Sequence, residues 1–476
     1  MTAAQNPDAV GFRTMIPFAI AIALFMENLD STVIATSVPV IAQSLRTTSL
    51  NLSMAVSVYL LSLAVFIPMS GWMADRFGAR TVFASAIALF TVSSALCGMS
   101  QSLLMLVAAR ALQGVGGAMM MPVGRLIIGR SFAKHELVAA MSYVTVPGLI
   151  GPMIGPLVGG AITTYASWRW IFYVNLPIGL IGILFVLKVI DNHHPPFVRP
   201  PDLKGFVMIG FGLAGLVLGV ENIGRGILPE GAEALLFAIS ALSLWLYWRH
   251  AQRTAFPALD LTLFRIATFR TSLLGGAISR IGFGATPFLL PLLFQLGFHR
   301  TPLESGALTF SGALGAILMK LGASRIVRLV GFRRLLIGNA IIVGGLIMVL
   351  AAFTATTPAL LIIAVLTLSG FFRTLQFTCM SALTYADLDL ARMSNGTSIA
   401  SVCQQISMSL GVAVGATALH LFTGAHAGGS LGASSFVPTF IFIGLIPIAA
   451  ILVFVWLPPA AGDEMRGRRQ AIGEAA

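Results

Sequence analysis

Residues 14–38 read TMIPFAIAIALFMENLDSTVIATSV, and at about 1.5 Å per residue a helix of that length crosses the roughly 30 Å apolar core of a bilayer. Its only charges are Glu27 and Asp30. The run is too long for the apolar region of a cleavable secretion signal, carries two acids and lacks a small-residue cleavage site, so it reads as a retained first helix. The pattern recurs along the chain. Of the 476 residues 57% are hydrophobic and 10% charged, with mean hydropathy +0.92, whereas soluble domains carry about 25% charged residues. A water-facing surface cannot be built from so few charges. The composition predicts an all-α polytopic membrane protein whose helices are the unit to count.

Charge-poor runs near 14–38, 50–72, 80–98, 103–127, 137–161 and 168–190 form one group of six. Runs near 271–298, 303–322, 333–352, 358–380, 395–423 and 434–458 form another. Between them lie two shorter runs, 205–220 and 234–248, each bounded by charge. A soluble linker has no reason to carry GFVMIGFGLAGLVLGV at 205–220. Fourteen transmembrane helices are therefore expected, against the alternative of twelve plus an amphipathic hairpin. The implied organisation is a six-helix bundle over 1–190, a linker with two additional spans over 191–270, a second six-helix bundle over 271–460 and a cytoplasmic tail over 461–476.

The net charge of +12 sits in short basic clusters between the apolar runs, which is a topology signal and not a nucleic-acid footprint. With the N-terminus inside, Arg46, Arg169, Arg225 and Arg300 fall outside and Arg110, Arg280 and Arg373 fall within spans. The remaining 22 of the 29 basic residues then face the cytoplasm, as do both termini. Cys97, Cys379 and Cys403 form no CxxC pair, so neither a disulfide framework nor a zinc site follows. His135-Glu136 lacks the second histidine of a zinc-protease helix, and His193-His194 reads as solvated. No Gly-Lys-Ser/Thr phosphate loop occurs, so ATP is not the energy source within this chain. With no nucleophile and base constellation and no metal set, the chain is not expected to be an enzyme or to need a cofactor.

A loop repeats. GWMADRFGAR at 71–80 aligns with SRIVRLVGFRR at 324–334 on Gly78/Gly331 and Arg80/Arg333, with Arg328 standing where the first copy has Asp75. Two related halves moving around a central site is the architecture this suggests.

The loop Gly71-x-x-x-Asp75-Arg76-x-Gly78-x-Arg80 resembles the signature of the major facilitator superfamily, and further stretches narrow the match. LDSTVIATSVP at 29–39 resembles the first-helix motif of the fourteen-helix drug/proton antiporter branch, the EmrB/QacA type. RALQGVGGA at 110–118 is similar to its fourth-helix arginine motif, PGLIGPMIGPLVGG at 147–160 to its fifth-helix antiporter motif, and WRWIFYVNLPIG at 168–179 to its sixth-helix entrance. Ala35 and Ala79 depart from the usual asparagine and basic residue. The resemblance implies a major facilitator fold in a bacterial inner membrane, a single polypeptide that exchanges a small molecule for protons, and no nucleic-acid partner. It leaves open whether a periplasmic adaptor assists.

Within this frame the residues acquire candidate roles. Glu27 and Asp30, three positions apart, project from one helical face. An acid at bilayer depth costs about 2.5–3.5 kcal/mol and usually marks an ion or proton pathway. Arg110 is the natural countercharge, and two carboxyls competing for one arginine titrate as a coupled pair. Glu27, Asp30 and Arg110 are thus the expected proton-coupling set. Arg280 and Arg373 have no acid in their own spans. Facing a cavity with Arg110 they would suit an anionic substrate; otherwise they snorkel or bond backbone carbonyls. Candidate substrate contacts are Glu27, Arg280, Arg373 and Gln113.

Asp75, Arg76, Gly78 and Arg80 are expected to gate, through a charge relay from Asp75 to neighbouring helix ends. Gly151, Gly155 and Gly159, with Pro152, line one helix face suited to close packing, and the resemblance implies that this face seals the cytoplasm-closed state. Phe25, Met26, Phe283, Phe288 and Met408 either line a pocket or simply pack helices. The reading is a proton-coupled exporter of toxic or drug-like compounds. One alternative is export of small organic anions or metal-carboxylate complexes such as citrate; another is an uncoupled uptake facilitator or a membrane sensor.

Overall fold

The computed structural model describes residues 7–132, 136–192, 200–223, 229, 231–389, 392–424, 432–458 and 461. His135, His193-His194 and most of the 461–476 tail lie outside them. Among the described residues the chain is helical, with no strand. The first bundle comprises α1 (Pro7–Ser44), α2 (Ser53–Phe77), α3 (Ala79–Gly98), α4 (Leu103–Ser131), α5 (Leu137–Tyr165), the short α6 (Trp170–Tyr173) and α7 (Asn175–Val189). A hairpin follows, α8 (Leu203–Asn222) and α9 (Ala232–Ala251). The second bundle comprises α10 (Ala267–Leu292), α11 (Pro302–Val330), α12 (Phe332–Val349), α13 (Ala359–Ala386), α14 (Met393–Gly424), α15 (Ala433–Ala449) and the short α16 (Ile451–Phe454). With α6–α7 and α15–α16 each filling one expected run, every one of the fourteen runs holds a helical body. Among the described residues eleven helices are long and apolar enough to cross a membrane. The marginal run at 205–220 is among them as α8, whereas tryptophans, Glu233 and Arg249 dilute α9.

Local chemistry sets the helix ends. Ser102 accepts from the Met105 N–H to start α4, Asp202 from Gly205 to start α8, and Thr301 with Glu304 forms a reciprocal capping box beneath Pro302 to start α11. The 2–3 and 11–12 turns are made by Gly78 (φ +87°) and Gly331 (φ +85°) in a backbone region closed to side chains. The repeat extends to the arginines. Arg80 reaches the Ile190 carbonyl just past α7 at 3.5 Å, and Arg333 donates to the Val455 carbonyl just past α16 at 2.9 Å. Each bundle is tied to its own last helix by the same residue of the repeated loop.

Within the first bundle α1 packs on α5 and α4 on α2 and α3; within the second α10 packs on α14 and α11 on α13. The bundles meet where α5 faces α11 and α2 faces α14, and α8 lies against both α2 and α14. At the end opposite the Gly78 turn they are sewn together. Gln295 donates to the Thr36 carbonyl at 2.8 Å, the Leu303 N–H to Thr164 Oγ1 at 3.1 Å, and the bare faces of Gly160 and Gly306 press on the backbone of Pro302 and Pro156. Large apolar side chains such as Leu104, Leu360, Leu452 and Trp456 cover the exterior, the surface a lipid solvent requires.

Candidate functional site

Asp30, buried midway along α1, is held by three side chains from two other helices. Arg110 Nη1 on α4 binds its Oδ2, while Gln113 Nε2 at 2.9 Å and Asn175 Nδ2 at 2.8 Å, from α4 and α7, share its Oδ1. Arg110 Nη1 also donates to Gln113 Oε1 at 2.7 Å and Nε to the Ala55 carbonyl at 3.4 Å. Ser94 on α3 accepts from both amides and donates onward to the Phe172 carbonyl at 3.0 Å. Every member is buried. An ion pair out of water is tolerable only when its remaining lone pairs and protons are also bonded, and the two amides and Ser94 meet most of that demand.

The glycines after Arg110 make this assembly possible. A Cβ at Gly114 would sit 2.6 Å from the Tyr59 carbonyl, one at Gly116 2.9 Å from the Ala86 carbonyl, and one at Gly117 3.8 Å from Glu27 Cγ. Gly114 and Gly116 therefore let α4 touch α2 and α3, while Gly117 lies in ordinary contact with Glu27 of α1. The fourth-helix motif works here by close approach of backbones, and Gln113 acts as a brace for Asp30.

Glu27 departs from the expected sharing of Arg110. It is 9% exposed, and its Oε2 has no hydrogen-bond partner. Because α4 runs antiparallel to α1, the helical step that sets Asp30 beside Arg110 and Gln113 sets Glu27 beside Gly117, two turns further along α4. One carboxylate is locked and the other, one turn away, is loose.

The arginines of the second bundle stand apart from this cluster. Arg280 on α10 is 4% exposed, its Nε and Nη1 lack partners, and its guanidinium carbon lies 5.2 Å from the Phe377 ring centroid. A Cβ at Gly276 would lie 2.8 Å from its Nη1, so that glycine makes room for it. Arg373 on α13 is half-buried, with no hydrogen bond or ion pair among the described residues. Arg110, by contrast, is neutralised by Asp30 and adds no free positive charge to a cavity.

Asp75 meets Arg130 at the end of α4, 2.6 Å away and about one-third exposed, while Arg76 is exposed. The glycine face of α5 packs on α1: a Cβ at Gly151, Gly155 or Gly159 would collide with Leu29 N, Thr32 Oγ1 or the Val33 carbonyl, and Pro152 is half-buried beside it. These three glycines lie inside the first bundle, and the bundle contact is left to Gly160. Met26, Phe283 and Phe288 are core residues. Asn175, Ser94, Tyr59 and Arg130 were not among the candidate site residues. A neutral amide or hydroxyl in an apolar run gives little signal, whereas Arg130, at a helix end, looks like any topology charge.

Comparison with known proteins agrees with this architecture. The profile of the Major Facilitator Superfamily matches residues 20–412. "Putative multidrug resistance protein MdtD" of Escherichia coli O6:H1 is 38% identical over 456 residues, 94% of this chain and 95% of the relative. The protein of the same name from Pectobacterium atrosepticum is 38% identical over 444 residues, 92% of this chain and 95% of its own. The fold matches a D-xylose-proton symporter (TM-score 0.67, 14% identity, 94% of this chain and 98% of that one). It also matches an inward-facing bacterial homologue of the human lysosomal transporter Spinster (TM-score 0.63, 14% identity, 95% and 98%). A helical frame of two tied bundles, a buried Asp30–Arg110 core and a family profile spanning most of the sequence lead to one statement: the chain is a membrane transporter belonging to the Major Facilitator Superfamily.

Proposed function

We propose that the chain is a proton-coupled exporter that carries small, drug-like molecules across the bacterial inner membrane by alternating access. The observation that supports this reading is the contrast between its two helix-1 acids: Asp30 is bonded on both oxygens, and Glu27 is buried with Oε2 unbonded. Three donors fix Asp30 in place, whereas Glu27, with an oxygen unbonded, is the acid free to change partners. In this reading Glu27 is the carrier, Asp30–Arg110 the fixed pivot, and Gln113 its brace. The segments 1–190 and 271–460 move as two bodies, and 191–270 joins them. Both termini are cytoplasmic, the sewn end is periplasmic, and Asp75–Arg130 holds the cytoplasmic ends of α2 and α4. The working unit is a monomer, with or without a periplasmic adaptor.

The test is proton movement in proteoliposomes with an imposed pH gradient, on adding a lipophilic cation such as ethidium. Proton release that disappears in Glu27→Gln supports the reading; equal release in wild type and Glu27→Gln ends it. A second cargo class, small carboxylates free or metal-bound, is favoured by the unbonded Nε and Nη1 of Arg280. Proton release on adding citrate, lost in both Arg280→Ala and Arg373→Ala, would select it over the cation.

A further inference from the structure

Glu221 closes the last turn of α8, in the hairpin between the bundles, and is 1% exposed. Its two oxygens accept from two serines of α2, Oε2 from Ser53 at 2.8 Å and Oε1 from Ser57 at 2.6 Å. The neighbouring Val220 carbonyl accepts from Thr417 of α14 at 3.0 Å. Ser57 closes the ring, since its own carbonyl accepts from Ser409 of α14 at 2.9 Å. Three helices, one from each bundle and one from the hairpin, are thereby joined in a single circuit at the sewn end.

We propose that Glu221 is a positioning residue of the transport cycle: it fixes the hairpin across the α2–α14 seam and so holds that end of the transporter shut. This goes beyond the reading above and depends neither on the cargo nor on proton coupling. A leucine would anchor α8 among apolar neighbours, whereas a buried carboxylate is costly unless bonded. What the acid adds is two charge-assisted bonds aimed at one helix, each about twice as strong as a neutral one. Alternating access requires α2 and α14 to part at this end. The hairpin cannot then keep both attachments, and the neutral Thr417 bond is weaker than the charge-assisted pair. The hairpin is therefore a third moving part that travels with the first bundle and re-forms the Thr417 contact on closure.

The experiment measures spin-label distances in the full chain in lipid nanodiscs, with Cys97, Cys379 and Cys403 replaced by alanine. Labels at the exposed Thr48, before α2, and Leu421, on α14, report the seam. Labels at Thr48 and Tyr165 report the first bundle alone. Glu221→Ala is expected to raise the ratio of separated to closed seam about tenfold, and Ser53→Ala/Ser57→Ala to do the same from the other side. Thr417→Ala, which removes the bond that breaks on opening, is expected to give a rise of about the same size. The Thr48–Tyr165 distances stay unchanged. Should Glu221→Ala not fold, the serine pair carries the test alone. A seam distribution identical to wild type in the folded variants overturns the proposal. So does a seam change accompanied by an altered Thr48–Tyr165 distance, because that would mean Glu221 only supports the bundle.

Discussion

Arg110 lies over the ring of Tyr59 with its guanidinium carbon 4.1 Å from the ring centroid, while its Nη1 binds Asp30. The arginine is thus gripped by a carboxylate and an aromatic face, the second worth about 2 kcal/mol when desolvated. Asp30→Asn leaves a buried guanidinium without its countercharge and is expected to cost about 3–5 kcal/mol. Removing both charges in Asp30→Asn/Arg110→Gln should cost less than the sum of the singles by about 1 kcal/mol or more. Thermal unfolding of the four proteins in detergent measures this, and simple additivity would show that the pair is not coupled. Glu27→Gln, which breaks no bond at Oε2, should melt with wild type.

Gly155 and Gly159 face α1 in different ways. A Cβ at Gly155 would meet the Thr32 hydroxyl, which can rotate, whereas one at Gly159 would lie 2.4 Å from the Val33 carbonyl, which cannot. Gly159→Ala is expected to lose about 1–3 kcal/mol. Gly155→Ala loses less and is partly restored by adding Thr32→Ala, which removes the hydroxyl but keeps the Thr32 Cβ 2.9 Å from the added methyl. Equal losses at the two positions, or no rescue, would contradict this account.

Gly78 sits at φ +87° and ψ 135° with Asn192 against its open side. Gly78→Ala is expected to destabilise by about 1–3 kcal/mol through the backbone itself. Adding Asn192→Ala should therefore not restore stability. Full recovery in the double variant would mean that the side-chain collision was the whole effect.

Asp202, ahead of the membrane-spanning part of α8, clasps the hairpin ends together. Burial pushes its carboxyl up, but the N–H groups of Gly205 and Ala258 and the His250 ring outweigh that and hold it below the ordinary value. With the native value lowered, its stabilisation is fully present above the unfolded carboxyl value of about 3.9 and is lost as pH falls through the native one. Amide-exchange protection of Gly205 and Ala258, corrected for intrinsic rates, should stay flat from about pH 7 to pH 4 and fall only below that. Asp202→Ala is expected to remove about 1 kcal/mol at neutral pH.

Helix positions were legible because hydropathy is averaged over some twenty residues and tolerates local exceptions. The loop repeat was legible for a sharper reason, since a positive φ admits little but glycine and Gly78 and Gly331 had to correspond. What spacing could not supply was partnership. Glu27 and Asp30, three positions apart, share one face, but which of them Arg110 takes depends on the register of α4 against α1, and no spacing within α1 carries that. Glu221 reads in sequence as the charge that ends an apolar run. Its serine partners lie 164 and 168 positions away, so nothing local distinguishes a buried acid from a boundary.

The Asp30–Arg110 pair spans 80 positions of chain, and that separation sets a delay. At synthesis rates of about 5–20 residues per second, α1 emerges about 4–16 s before the arginine exists to meet it. For that interval Asp30 must be held by the insertion machinery, by lipid headgroups or by water. Asn175, 145 positions downstream of Asp30, arrives later still. The first bundle therefore cannot mature helix by helix: α1 stays provisional until α4 arrives, and its polar core is completed only when α7 has been made.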